Sequence, residues 1–320
     1  MRPAIEEYQL NMIKAMRNFI ILSISFAILL SGCSRRAENA PKVIGVSLLT
    51  RAHVFYKDLE EGLHSEAQKD GFELSITSGD FDPSKQSSQI EDFITRHVDA
   101  IIVCPVDSRG IGPAIQKANA AGIPVFTADI AALEGTVVCH VASDNVQGGR
   151  LAGEYLGKLL GGKGKVAIIG QPTVTSVLDR TQGFKDAIAK FPGISVVAEV
   201  NGEGRRDKAI EVASDILQGH PDLQGIFGIN DDSALGALDA VQQYNRKDVA
   251  IIGYDATPPA ADAIVRGTAL KADVVQYPVK IGVQTIARIK DYFSGTTPPG
   301  VVPVEVGIVD QASLSKSASK

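Results

Sequence analysis

Carboxylates stand at the ends of two apolar, strand-like runs. Asp129 follows IPVFTA (123–128), and Asp255 follows DVAIIGY (248–254). A carboxylate at the end of a buried strand costs free energy unless a partner satisfies it. Each aspartate could cap its own loop, or each could accept hydrogen bonds from a ligand. The two are therefore the first candidates for a binding site.

Two adjacent aromatic residues, Phe55 and Tyr56, open the first predicted helix. Neighbouring helix positions point in different directions, so both rings cannot face the same core. One or both rings can then offer a flat apolar face to a ligand, although use of both in the core stays open. Sugars present such faces through C–H groups, and their hydroxyls suit Asp, Asn, Arg and Gln side chains.

Two further motifs are best explained by helix ends. The segment GKLLGGK (157–163) satisfies the first seven positions of a phosphate-binding loop, but Gly164 stands where a magnesium-binding Ser or Thr is required. The segment also leads from a helix into a strand, which predicts a helix C-terminus and a turn. Asp231 and Asp232 in NDDSALGAL, with the Asn before them, predict a capped helix start.

The sequence carries no motif of an enzyme or cofactor site. No G-x-G-x-x-G follows the first strand, no G-x-S-x-G, HExxH or calcium loop is present, and no Cys/His pair has metal-ligand spacing. The chain is therefore predicted to have no catalytic activity, no cofactor and no metal.

Composition narrows the class further. The 320 residues are 44% hydrophobic and 22% charged, with 31 Gly, 15 Pro and 3 Cys, which is typical of a globular protein. The net charge of -5, from 32 Lys+Arg and 37 Asp+Glu, argues against a nucleic-acid partner. Cys104 and Cys139 lie in apolar stretches and are predicted as buried thiols, although a disulfide stays open.

The N-terminus is predicted to be a targeting segment. A 12-residue apolar run at 19–30 follows basic residues and precedes Ser, Gly and Cys33. This run is too short to span a membrane, which predicts a signal peptide at 1–32 and a tether at 33–41. The sequence LSGC also resembles a bacterial lipobox, so the exported protein would contact a membrane only through a lipid on Cys33. The alternative is a membrane-anchored helix with an incidental cysteine.

From Lys42 onward, β-branched runs alternate with helical patterns, which predicts α/β architecture with parallel sheets. Strands are predicted at 42–49, 72–77, 99–104, 123–128 and 136–141, and in a second set at 165–170, 194–200, 223–229, 248–254 and 269–275. Two such sets predict two lobes with a cleft between them. Ligands of open α/β sheets bind at the carboxyl ends of the strands, where the polar residues of this sequence stand.

Several stretches carry a resemblance to a known family: FYKDLEEGLHSEAQKDG, AGIPVFTAD, HVASDNVQGGRLAGEYL, HPDLQGIFGINDDSALGALDAVQ, IIGYDATP and VVQYPVKIG. Over residues 42–306 the chain resembles the type I periplasmic sugar-binding proteins of ABC importers, close to ribose-binding proteins. The resemblance implies two Rossmann-like lobes joined by three hinge strands, which cross near Ser143, Gln276 and Pro303. The N-terminal lobe would comprise 42–143 and 277–303, and the C-terminal lobe 144–276 and 304–320.

The resemblance also implies which residues bind the ligand. Phe55 and Tyr56 would stack on the sugar ring, and its hydroxyls would bond Asp129, Arg180, Asn230, Asp255 and Gln276. Four positions depart from the ribose-binding pattern, namely Ile130 for an Arg, Gly204 for an aromatic residue, and Cys104 and His53 for Asn. His53 either binds the ligand or caps the first helix, and Gln171, in place of an apolar residue, is a further candidate contact. With one guanidinium and one ring missing, a larger or less hydroxylated ligand, or a sugar alcohol, is as well supported as a pentose.

The predicted function is that of a monomeric solute-binding lipoprotein, which delivers a sugar or polyol to an ABC importer permease. The alternative is a sensory binding protein that presents its ligand to a membrane receptor. A transcription regulator of the same fold is disfavoured, because a signal sequence occupies the place of the N-terminal helix-turn-helix.

Overall fold

The computed structural model describes residues 40–317 together with Met12 and Met16. The chain divides into two units, residues 1–41 and 42–320, and the α/β fold belongs to the second. Apart from Met12 and Met16, the predicted signal peptide lies outside the described residues, as do Cys33 and the tether residues up to 39. None of the helices in the described part is long and apolar enough to cross a bilayer.

Strands and helices alternate through the second unit, as the hydrophobic pattern predicts. Their order is β1 (Val43–Leu48), α1 (Val54–Asp70), β2 (Glu73–Ser78), α2 (Pro83–Thr95), β3 (Ala100–Val103), α3 (Gly112–Ala120), β4 (Val125–Ala128), β5 (Cys139–Ser143), α4 (Asn145–Leu159), β6 (Lys163–Gly170), α5 (Thr175–Ile188), β7 (Gly193–Asn201), α6 (Arg206–Gly219), β8 (Leu223–Gly228), α7 (Asp231–Gln243), β9 (Ala250–Asp255), α8 (Pro258–Val265), β10 (Leu270–Val275), α9 (Pro278–Phe293), β11 (Val301–Val304), β12 (Gly307–Asp310) and α10 (Gln311–Ser317).

The strands form two six-stranded sheets. The first has the order β11-β5-β4-β3-β1-β2, and the second has the order β12-β10-β9-β8-β6-β7. All neighbours are parallel except β12, which runs antiparallel to β10. We call each sheet with its helices a lobe, the N-lobe and the C-lobe. The predicted fold class, two α/β lobes, is confirmed.

Both sheets are covered by helices on both faces, which explains why their central strands are continuous apolar runs. Every residue of β9 is buried, and β1 is buried from Ile44 to Leu48. Helix α1 places Leu59 and Leu63 on one face, and both are fully buried. Each such side chain contributes on the order of 1.5–3 kcal/mol to stability.

The chain crosses between the lobes three times, after β5, after β10 and after β11. Strands β11 and β12 were not among the predicted strands, and they carry the third crossing. Val304 still pairs with Ser143 in the first sheet, and its carbonyl accepts a hydrogen bond from Asp144 N at 2.8 Å. The third crossing therefore lies between Val304 and Gly307.

Two local predictions are confirmed. Helix α4 ends at Leu159, and Gly161 and Gly162 adopt φ of 64° and 77° before β6 begins, so the phosphate-loop-like segment is a helix end and a turn. Cys104 and Cys139 are both buried and free.

Candidate ligand-binding site

A cavity lies between the lobes at the carboxyl ends of their strands. It encloses about 460 Å³ of empty space, counted out to the solvent at its mouth. The structure brings all nine predicted contact residues to its wall: His53, Phe55, Tyr56, Asp129, Gln171, Arg180, Asn230, Asp255 and Gln276.

Direct hydrogen bonds between the lobes close one side of this cavity. Thr175 Oγ1 accepts from Ala131 N at 3.0 Å, and Thr175 N donates to Ser108 Oγ at 3.0 Å. Ser108 N also donates to the carbonyl of Thr173 at 2.9 Å. Because Ser108 and Ala131 belong to the N-lobe and the two threonines to the C-lobe, the structure is a closed form.

Asp129 and Tyr56 form one polar centre of the N-lobe wall. Tyr56 OH donates to Asp129 Oδ2 at 2.7 Å, which leaves Oδ1 available to a ligand. Burial raises the pKa of Asp129 to about 6, while the charge of Arg180 and the Tyr56 hydrogen bond act in the opposite direction. Phe55 and Tyr56 contact each other edge to face with ring centroids 5.2 Å apart, and both rings are buried. Both rings are therefore part of the core and also line the cavity.

Arg180 is held from behind by three groups of the C-lobe. Its Nε donates to Asn145 Oδ1 and its Nη1 to the carbonyl of Ile229, both at 2.8 Å. Its guanidinium carbon also lies 3.8 Å from the centre of the Tyr254 ring. Since these contacts use Nε and Nη1, the Nη2 hydrogens stay available as donors to a ligand.

His53 makes one contact with each of its two ring nitrogens. Its Nδ1 accepts from Phe55 N at 3.1 Å and so caps α1, which leaves the proton on Nε2. His53 Nε2 lies 3.3 Å from Asp255 Oδ2 across the cleft. The helix cap foreseen from the sequence is therefore present, and the same ring also bridges the lobes beside the cavity.

Asp255 and Gln276 form the polar centre of the opposite wall. Gln276 Nε2 donates to Asp255 Oδ1 at 2.6 Å. Gln276 Oε1 is buried and has no hydrogen-bond partner in the structure. A buried carbonyl oxygen without a donor costs about 1–3 kcal/mol. A ligand hydroxyl that donates to this oxygen would remove that cost.

Asn230 serves first as the cap of a helix. Its Oδ1 accepts from Ser233 N at 2.9 Å at the start of α7, and its Nδ2 donates to the carbonyl of Gly204 at 3.0 Å. The predicted helix start at Asp231 is confirmed. One amide hydrogen and one lone pair of Asn230 remain for a ligand.

Gln171 fills the space that Gly204 leaves open. A Cβ at Gly204 would lie 2.5 Å from Gln171 Oε1, and Gly204 has a φ of 64°. These two departures from the ribose-binding pattern are therefore coupled, because the amide group occupies the volume next to the missing side chain. This part of the wall offers polar contacts instead of a stacking ring.

Phe81 also lines the cavity, and it was not among the predicted contacts. It follows β2 and adopts a φ of 64°, and its N donates to the carbonyl of Leu49 at 3.3 Å. A left-handed backbone is unusual for an aromatic residue. Phe81 could have been predicted from the sequence, because its loop follows the carboxyl end of a parallel strand, where ligands of such sheets bind.

Backbone strain is concentrated at the cavity. Eight non-glycine residues of the described chain have positive φ, and six of them line the cavity or adjoin a lining residue: Asp80, Phe81, Asp129, Glu203, Asp255 and Ala256. Each such residue costs on the order of 1–3 kcal/mol, and such strain clusters at functional sites.

We expect Phe81→Gly to be more stable than Phe81→Ala by about 1 kcal/mol, since both remove the ring but only Gly adopts positive φ without strain. Both variants should weaken ligand binding to a similar degree. Urea unfolding and calorimetry would measure the two effects. An Ala variant as stable as the Gly variant would contradict the strain, and unchanged affinity in both would exclude a ligand contact by the ring.

Comparison with known proteins shows to which family the chain belongs. A family model described as a periplasmic binding protein domain matches residues 44–297. The chain belongs to this family. The ribose import binding protein of Bacillus subtilis is 36% identical over 287 residues, which cover 86% of this chain and 92% of the relative.

Solved structures of periplasmic binding proteins share the fold. An ABC transporter solute-binding protein from Mycobacterium smegmatis with bound glycerol has a TM-score of 0.81 at 33% identity, and the match covers 86% of this chain and 96% of that one. A fructose-binding periplasmic domain of a hybrid two-component system has a TM-score of 0.81 at 26% identity, over 86% of this chain and 93% of that one.

Membership in the periplasmic binding protein family makes the chain a binding protein, because this family and these relatives bind solutes and are not enzymes. Among the described residues, no group of three or more His, Cys, Asp or Glu side chains could hold a metal ion.

Proposed function

We propose that the chain captures a sugar or sugar-like polyol in the interlobe cavity and delivers it to an ABC importer permease, acting as a monomer. The observation that carries the proposal is the unpartnered Gln276 Oε1 within a closed wall of carboxylates, amides and one guanidinium. Hydroxyl groups both donate and accept, so they satisfy all of these groups together.

The proposed contacts divide between polar and apolar faces. Asp129, Asp255 and Gln276 accept hydrogen bonds, Arg180 donates them, and Asn230, Gln171 and His53 supply further polar atoms. Phe55 and Phe81 offer apolar faces to C–H groups. Because Gln171 and not a ring stands beside Gly204, the ligand turns a hydroxyl toward that wall. This favours a polyol or a sugar other than ribose.

A thermal-shift panel tests this function. The purified protein would be heated with D-ribose, D-fructose, D-allose, glycerol, xylitol or myo-inositol, and a ligand at 100 times its Kd should add about 2.7 kcal/mol of stability. Asp129→Ala serves as the matched control, because a compound that shifts both proteins equally does not bind in the cavity. No shift with any sugar or polyol would contradict the proposal.

We expect the lobes to close on ligand, so that the radius of gyration from small-angle scattering falls on binding. Thr175→Val keeps the side-chain shape but removes the hydroxyl that joins Ala131 to the C-lobe, so affinity should fall about tenfold. Thr95→Val, at the exposed end of α2, is the control. A radius unchanged by saturating ligand would exclude closure.

A sensory function is the second candidate, since one relative is the fructose-binding domain of a two-component system. Deleting the gene separates the two functions. Loss of ligand uptake supports delivery to an importer, whereas intact uptake with a lost response to the ligand supports presentation to a receptor.

We also propose that a lipid on Cys33 attaches the exported protein to a membrane, facing the periplasm or the cell exterior. Cys33→Ser is expected to move the processed protein from the membrane fraction to the soluble fraction, because a covalent lipid supplies the anchoring free energy. Fractionation after lipid labelling measures this, with Ser34→Ala as the control. Membrane association of processed Cys33→Ser would contradict the anchor.

A further inference from the structure

Two aspartates of the C-lobe meet in its interior, beneath the cavity. Asp231 begins α7 and Asp273 lies in β10, and they are 1% and 0% exposed. Through one oxygen each, they accept hydrogen bonds from two consecutive backbone amides, Thr257 N to Asp231 and Ala256 N to Asp273, so the two carboxyl groups hold the same turn. Asp231 Oδ1 and Asp273 Oδ2 are buried and have no hydrogen-bond partner in the structure.

A single proton would satisfy both of these oxygens, because the oxygen that carries it can donate to the other. Burial raises the pKa of Asp273 well above its usual range, and the charge of Asp231 adds to the rise. Burial also raises the pKa of Asp231. A Cβ at Gly253 would collide with Asp273 Oδ2, so the backbone leaves no room for a solvating group there.

The pair holds the turn that follows β9. Thr257 N and Thr257 Oγ1 donate to Asp231 Oδ2 at 2.7 and 2.5 Å, and Ala256 N donates to Asp273 Oδ1 at 3.1 Å. Within this turn, Asp255 and Ala256 have φ of 122° and 56°. Such a backbone persists only where surrounding bonds determine it.

This turn decides where the Asp255 carboxylate points. Asp231 N donates to Asp255 Oδ2 at 3.3 Å, and the same carboxylate lines the cavity. The pair thus reaches Asp255 in two ways, through the backbone of the strained turn and through the first amide of α7.

We propose that Asp231 and Asp273 are positioning residues that share one proton, hold Asp255 in its ligand-binding orientation, and lower ligand affinity when that proton is lost. The affinity part rests on the proposed function, whereas the shared proton and the held turn do not. Loss of the proton leaves two buried charges side by side, which repel and open the turn.

The charged neighbours of the pair are few. The carboxyl group of Asp255, at the end of β9, raises the pKa of both members. On the far side of Asp255, His53 approaches from the N-lobe at 3.3 Å. Asp232 on α7 lies near His53 and Asp255 rather than against the pair. No cation among these groups touches the pair, so raising the pH charges it.

Asp273→Asn is the deciding variant. Its amide can accept from Ala256 N and donate to Asp231, as the protonated pair does, but it cannot titrate. Asp273→Ala removes both bonds, and Asp215→Asn, on an exposed face of α6, is the matched control. If the Ala variant fails to fold, the Asn variant still decides.

Hydrogen exchange of the Ala256 and Thr257 amides in the ligand-free protein measures the turn. In the wild type, their protection should fall at least about tenfold between pH 6 and pH 9, after correction for intrinsic rates. In Asp273→Asn protection should stay constant. The infrared band of a protonated carboxyl at pH 6 is measured in the Asp129→Asn background, because Asp129 has a pKa of about 6 and would add its own band. The band should be present in this background, should remain when Asp215→Asn is added, and should be lost when Asp273→Asn is added. Identical exchange profiles, or an unchanged band, would overturn the proposal.

Calorimetry of the wild type and Asp273→Asn, with xylitol or the panel compound that gives the larger melting shift, measures the effect on binding. Above pH 7, wild-type affinity should fall at least about tenfold more than that of the variant. Equal losses would show that the pair does not position Asp255. If no panel compound binds, the proposed function fails, while exchange and infrared spectra still decide the proton pair.

Discussion

Replacing Asp129 by Asn is expected to stabilise the ligand-free protein and to weaken its ligand binding at the same time. Burial raises the pKa of Asp129 from 3.8 to about 6. A carboxyl whose pKa is higher in the folded state favours folding at low pH, and this contribution is lost as the pH rises through the folded value. At pH 8 the carboxylate therefore destabilises the fold by on the order of 2–3 kcal/mol, and Asn removes that penalty.

Ligand binding by Asp129→Asn should change in the opposite direction. A hydroxyl that donates to a buried carboxylate makes a charge-assisted bond, so the loss should be at least about tenfold at pH 8. Wild-type affinity should also fall below about pH 6, where Asp129 gains a proton, and the variant should not show this fall. Thermal unfolding and calorimetry between pH 4 and 9 measure both effects, with Asp215→Asn as control. A variant less stable than the wild type at pH 8 would contradict the burial argument.

Replacing Arg180 by Ala is expected to lower both stability and affinity. Its positive charge lowers the pKa of the buried Asp129, and its bonds to Asn145 and Ile229 are lost as well. Each buried acceptor left without its donor costs roughly 1–3 kcal/mol, and the loss of the positive charge adds to this cost, less so at pH 5, where Asp129 takes up a proton. Affinity should fall at least about tenfold, because a charged donor to the ligand disappears.

The double variant separates the charge from the packing of Arg180. In the Asp129→Asn background, Arg180→Ala should destabilise the protein by about 1–2 kcal/mol less than in the wild type. Arg150→Ala, which breaks only the half-exposed pair with Asp186, is the control and should change stability by less than about 1 kcal/mol. Equal costs in both backgrounds would show that Arg180 and Asp129 do not interact.

Much of the architecture follows from local pattern. The ten predicted strands all exist, because the central strands are the continuous apolar runs that buried parallel strands require, and the edge strands β2 and β7 are marked by β-branched residues. The cap at Asn230 and the turn at Gly161 follow from the same local chemistry. Strands β11 and β12 were not predicted, because they are short and only partly buried and therefore carry no strong apolar run.

The strand-end rule marked the segments that hold the nine candidate contacts, because the carboxyl ends of strands converge where two parallel sheets face each other, and the resemblance to sugar-binding proteins singled out most of the individual residues. Their roles could not be read from their positions. His53 and Asn230 also serve as helix caps, and Gln171 occupies the space beside Gly204. These are pairwise contacts between distant segments, on which neighbouring residues carry no information.

The amino-acid sequence by itself determined two α/β lobes, a cleft between them and the polar residues on its rim, since hydrophobic period and strand ends are local properties. Only the tertiary structure decided that Phe81 enters the cavity through a left-handed backbone, and that Asp231, which looks like an ordinary capping carboxylate, is buried against Asp273. Burial and strain depend on what the rest of the chain places around a residue, and that is fixed when the sheets and helices pack.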